Sequence, residues 1–157
     1  MYQYMYLDYE DVTMAPREEQ EAAVLRANER FYEAFEQLDI EAMSMVWLHS
    51  NRARCIHPGW RTLRGWSAIK ESWIAIFSNT EEIKFTLTAV SVNLSDQMAW
   101  VSCVENIIDS GNAIPVVSTI EATNIFEWVG SEWRLAQHHA SMAVRERDDS
   151  DWDPSQN

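Results

Sequence analysis

The sequence predicts an α+β domain: a curved antiparallel sheet wrapped against three helices, with a cavity between the two layers. Three observations carry this. Up to Asn79 the apolar residues recur at three- and four-residue steps, and after Glu82 they alternate with period two. The predicted order is helix, helix, short strand, helix, then four long strands, which lacks the strand–helix–strand alternation of a parallel sheet. Finally, 157 residues at 46% hydrophobic and 11% aromatic suit one domain. A chain of that size buries roughly two-thirds of its unfolded surface.

The elements follow in order. Residues 1–15 form a Tyr-rich acidic extension, with Tyr2, Tyr4, Tyr6 and Tyr9 set among Asp8, Glu10 and Asp11. It is expected to be flexible, as chain ends commonly are, and with no basic start or apolar run it does not read as a signal peptide. Pro16 opens a helix where proline costs least, and Val24, Leu25, Asn28, Phe31, Tyr32, Phe35 and Leu38 fall on one face of it. Asp39 can cap a second helix carrying Ala42, Met43, Val46 and Trp47, with His49 placed to cap its end. Arg54 to His57 reads as a short strand stopped by Pro58-Gly59. Gly65 precedes a third helix, in which Trp66, Ile69, Trp73, Ile76 and Phe77 share a face. Four strands follow: one through Phe85, Leu87 and Ala89, then Met98–Ile108, Ile114–Val129 and Trp133–Ala143. Turns are expected near Ser95-Asp96, Ser110-Gly111-Asn112 and Gly130-Ser131. Residues 144–157 read as a disordered acidic tail, leaving residues 16–143 as the domain.

Charge narrows the function. Twelve Lys and Arg against 25 Asp and Glu leave a net charge of −13. Such a field repels phosphates, which argues against nucleic acid and anionic membranes as partners. No stretch reaches the roughly 18 apolar residues of a membrane span. Two cysteines, Cys55 and Cys103, suit a reducing compartment, so a cytoplasmic protein is expected.

A set of short motifs adds to this reading. His57-Pro-Gly-Trp60, Gly65-Trp66-x-x-Ile69-x-x-Ser72-Trp73, Glu105-Asn106, Thr123-Asn124-x-Phe126 and Trp133-Arg-Leu-Ala-Gln-His-His-Ala-Ser141 stand in register over about residues 20–142. Together they resemble the SnoaL-like branch of the nuclear transport factor 2-like superfamily. The resemblance implies a cone-shaped, cystatin-like α+β fold and a homodimer joined through the open sheet face. Its members include isomerases, cyclases, dehydratases and non-catalytic association domains, so fold alone does not decide function. Aligned with the ketosteroid isomerases of the group, Phe31 falls at the tyrosine, His57 at the base and Ala122 at the second acid. Phe and Ala donate no hydrogen bond to an enolate, which argues against that mechanism here.

Candidate site residues follow from chemistry. His57 ends the first strand beside Pro58, at the place of the isomerase base. Glu105 lies mid-strand in an apolar setting that raises a carboxyl pKa, as a general acid requires; a salt bridge to Arg54, Arg61 or Arg134 is the structural alternative. His139 shares the alternating face of Trp133 and Leu135 and is expected to point inward, with His138 on the opposite face. It is read as an orienting group, or else as a satisfied core residue. Trp47, Trp60, Trp73, Phe77 and Asn124 are the expected ligand contacts, although aromatic stripes at helical spacing more often form core. No metal or cofactor motif is visible. Two readings remain open: a pocket for a small hydrophobic, oxygenated molecule with isomerase, lyase or cyclase chemistry, or a non-catalytic dimeric binding or association module.

Overall fold

A computed structural model describes residues 15–110 and 116–143. The Tyr-rich segment up to residue 14, the turn beyond Ser110 and the acidic tail from residue 144 lie outside the described residues.

Helix α1 (Arg17–Glu36) follows Pro16, whose carbonyl accepts from Gln20 N, and Glu18 and Glu19 in its first turn suit the positive end of the helix dipole. It buries Val24, Ala27, Asn28, Phe31, Tyr32 and Ala34, the stripe expected of an amphipathic helix lying on a sheet. Asp39 caps α2 (Ile40–Val46), its carboxylate accepting from Glu41 N at 2.9 Å and Ala42 N at 3.0 Å. His49 Nε2 lies 2.8 Å from the Ser44 carbonyl in the last turn of α2. Helix α3 (Trp66–Ser78) starts after Gly65, whose φ of 81° is the left-handed backbone that only glycine adopts without cost.

Among the described residues six strands form one sheet: β1 (Arg54–Ile56), β2 (Leu63–Arg64), β3 (Ile83–Ser95), β4 (Met98–Asp109), β5 (Val116–Val129) and β6 (Glu132–Met142). Their spatial order is β2-β1-β6-β5-β4-β3. All pairs are antiparallel except β1 with β6, which run parallel. Strand β2, two residues long, and the parallel pairing of β1 were not legible in the sequence. A register shift between Thr88 and Ser91, with Ala89 at φ 50°, breaks edge strand β3. Bulges of this kind bend and twist a strand.

A second bulge decides which histidine is inside. Ile125 pairs with Gln137 and Phe126 with Leu135, so Ala136 has no partner on β5. Trp133 and Leu135 are buried before the bulge; Ala136, His138 and Ala140 are buried from it onward. The expectation for His139 is therefore corrected. Strict alternation from Leu135 turns His139 inward, but the one extra residue inverts the parity of the strand. His139 is exposed on the outer face and His138 lies within.

The core is largely aromatic. Phe31 lies at its centre, with the rings of Tyr32, Phe35, Trp47, Trp73 and His138 at 4.9–6.5 Å. Burying each such side chain stabilises by about 2–3 kcal/mol. The indole Nε1 atoms of Trp47, Trp73 and Trp133 are sealed in without a hydrogen-bond partner. Each indole meets an aromatic ring edge-to-face, Phe31, Phe35 and Trp128 respectively. The face of such a ring is a weak acceptor.

Candidate functional site

Buried polar side chains gather where α1 crosses the inner face of the sheet. Asn28 and Tyr32 stand four residues apart on α1, hence on one face, and both are buried. Opposite them, Glu105 and Cys103 come from β4, Asn124 from β5 and His138 from β6. Between the Asn124–His138 pair and Glu105, the sheet carries the small side chains of Ala122, Ala140 and Cys103 on its inner face.

One chain of hydrogen bonds joins the group. The Tyr32 hydroxyl donates to Glu105 Oε1 at 2.7 Å and lies 3.4 Å from Cys103 Sγ. Asn124 Nδ2 donates to Asn28 Oδ1 at 2.8 Å and reaches the Tyr32 hydroxyl at 3.3 Å. Asn124 Oδ1, an acceptor only, lies 2.6 Å from His138 Nδ1. His138 must therefore carry its proton on Nδ1, which leaves Nε2 a bare lone pair.

His57 stands beside this group, its ring 6.5 Å from that of His138. Strand β1 positions it through the parallel pairing of Cys55 with His138. The Ser72 hydroxyl donates to the Ile69 carbonyl at 2.7 Å and so accepts from His57 Nε2 at 2.9 Å. Pro58-Gly59, with Gly59 at φ 80° and Trp60 N bonded to His57 O, form a tight turn. The turn folds Trp60 back to 4.9 Å from the His57 ring while leaving it 48% exposed.

Burial sets the protonation states. Glu105 is 3% exposed, and desolvation pushes its carboxyl up to about 7, with the Tyr32 hydroxyl offsetting part of the rise. None of the arginines proposed from sequence is its partner: Arg54 bonds the carbonyls of Asn51 and Ala53, and Arg134 pairs with Glu132. Burial lowers His57 to about 4. It lowers His138 to about 3, aided by the neighbouring His57 and His139. Burial likewise raises Tyr32, Cys55 and Cys103, so their protons stay on. Near neutral pH the cluster thus holds two neutral imidazoles and one carboxyl poised to exchange its proton.

Other sequence candidates are placed as follows. Asn124 is fully buried at the centre of the hydrogen-bond chain. Trp73 packs edge-on to His57 at 4.7 Å. Trp47 is not at the cluster: it is sealed in the core, between Phe31 and a stacked Trp66. Phe77 packs on Phe35 and Trp73 and otherwise lines a shallow groove with Leu38, Ile40 and Ile74. The sequence reading missed Asn28, Tyr32, Ser72 and His138. A polar pair at i and i+4 inside an apolar stripe was the signal for the first two. Among the described residues, no three His, Cys, Asp or Glu side chains are grouped to hold a metal ion.

Comparison with known proteins agrees with the fold. A structure from Streptomyces avermitilis, a candidate dehydratase of the NTF2-like family, is 36% identical and superposes with a TM-score of 0.78. That match covers 82% of this chain and 99% of the other. A candidate calcium/calmodulin-dependent protein kinase type II association domain from Thiobacillus denitrificans is 27% identical at a TM-score of 0.68, covering 75% and 93%. The F-box protein SKIP8 of Arabidopsis thaliana is 25% identical over 122 residues, which is 78% of this chain but 50% of that protein. The chain spans about half the length of this curated relative. The profile of the SnoaL-like domain matches residues 24–145, most of the chain, so this protein belongs to the SnoaL-like domain family within the NTF2-like superfamily.

Proposed function

We propose that the Glu105 cluster is an acid/base site acting on a small oxygenated organic molecule, with elimination of water as the reaction class. The observation that carries it is Glu105 itself: a buried carboxyl that, among the described residues, has a single hydroxyl partner and no cation. A group with proton affinity near the working pH is the most effective proton carrier. As a carboxylate it takes a proton from the carbon next to a carbonyl. It then hands that proton to the departing hydroxyl, which leaves as water, and the carboxylate is restored. His138 Nε2, its tautomer fixed by Asn124, accepts a hydrogen bond from the substrate and orients it. Resemblance to the Streptomyces avermitilis candidate dehydratase supports the reaction class.

The test offers small β-hydroxy ketones, beginning with 4-hydroxybutan-2-one, in heavy water. Enone formation is read by ultraviolet absorbance and deuterium uptake at carbon by NMR. Glu105→Gln should lose activity by about 100-fold or more, and His139→Ala should keep it. If wild type and Glu105→Gln prove equally inert across the panel, and native mass spectrometry finds no bound small molecule, the acid/base reading fails.

A second reading rests on the outer sheet face, where Trp100 (39% exposed), Met98 and Ile108 stand on β4. Trp100 lies across from Ile125. A homodimer through this face, as in an association module, would cover them, and the Thiobacillus denitrificans candidate association domain supports that reading. Sedimentation of wild type against Trp100→Glu tests it: a wild-type monomer removes the interface.

A further inference from the structure

We infer that the buried site admits uncharged, hydroxyl-bearing molecules and refuses carboxylates and phosphates; this rests on the site assignment above and adds the class of ligand. Three polar atoms of the cluster are left over by the hydrogen-bond chain: Glu105 Oε2, His138 Nε2 and Asn28 Nδ2 have no partner among the described residues. None is sealed in as the three indole nitrogens are. Two of the three are offered as acceptors and one is a donor, which matches a hydroxyl group, able to do both.

Positive charge is what the surroundings lack. No lysine or arginine among the described residues is buried. The groups facing Glu105 are Tyr32 from α1 and Cys103 on its own strand, both held protonated, and its cross-strand neighbours are Leu87 and Ile120. His57 and His138 are neutral and resist protonation. An anion entering here would lose its hydration, meet no cation and face the Glu105 carboxylate, within a molecule of net charge −13. An ammonium would bring a partner for Glu105, but desolvating both ions consumes about what their attraction returns. An uncharged hydroxyl carries neither cost.

Three probes of one shape separate these cases: benzyl alcohol, benzoate and benzylammonium, titrated at about pH 8, where Glu105 is mostly ionised. Binding is read from the imidazole NMR signals of His57 and His138, which locate it. Benzyl alcohol should bind about 30-fold or more tighter than benzoate. Glu105→Gln, which keeps an oxygen for Tyr32 and removes the charge, should narrow that ratio about tenfold. Benzoate binding as tightly as benzyl alcohol, or a ratio unmoved by Glu105→Gln, overturns the charge rule. Benzylammonium binding tightest also overturns it and names an organic cation. If no probe shifts either imidazole, the assignment of a buried site fails, and the charge rule falls with it.

Discussion

Replacing Glu105 by Gln turns the buried carboxyl into a measurement. In the folded protein Glu105 keeps its proton up to about pH 7, whereas the unfolded chain releases it near the ordinary carboxylate value of 4.5. Between those values the folded state binds more protons, so this residue stabilises the fold less and less as pH rises. At about 1.4 kcal/mol per pH unit, the contribution lost is roughly 3 kcal/mol. Gln cannot ionise, yet its amide oxygen can still accept from Tyr32, so the variant lacks only this pH dependence. The histidines titrate in both proteins and cancel in the comparison. Urea unfolding of both proteins at about pH 5 and about pH 8 should show the Gln variant gaining roughly 3 kcal/mol on wild type over that range. The difference should level off once pH passes about 7, where the folded protein loses the proton too. Parallel stability curves would mean that Glu105 titrates alike in the folded and unfolded chain. The buried-acid argument would then be wrong, and the proton chemistry assigned to it with it.

Other expectations follow from the same contacts. His57 and His138 should stay neutral in imidazole NMR titrations down to about pH 5; because the unfolded chain takes up both protons earlier, stability should fall as pH drops below about 6.5, and ordinary titration of His138 would refute its burial. Asp39→Ala removes the cap of α2 and should cost about 1 kcal/mol, seen as a lowered Tm. Deleting Ala136 sets Gln137 next to Leu135 and so removes the bulge while keeping His138 inward and His139 outward; far-ultraviolet circular dichroism and urea unfolding should report a folded, cooperative protein, and loss of the fold would refute the register, whereas Ala136→Gly, which keeps the bulge, should cost about 1 kcal/mol.

The sequence by itself determined the three helices, the first short strand and the four long strands, and much of the layer order. The helical spacing of Val24, Asn28, Phe31, Tyr32 and Phe35, the Asp39 cap, Gly65 and the period-two runs from Phe85 onward are local signals, each set by backbone geometry within a few residues. The burial of Glu105 was also legible, because Cys103 and Ile107, two residues away on the same face of the strand, are apolar. Tertiary structure alone decided the choice between His138 and His139. That choice turns on the unpaired Ala136, and a bulge exists only in the register of two strands, here β5 and β6, not in the spacing of one. The same holds for the partner of Glu105. Tyr32 lies 73 residues away on α1, and sequence offered three arginines with an equal claim. Only the packing of helix on sheet could select a hydroxyl over a cation and leave the carboxyl able to hold its proton near pH 7.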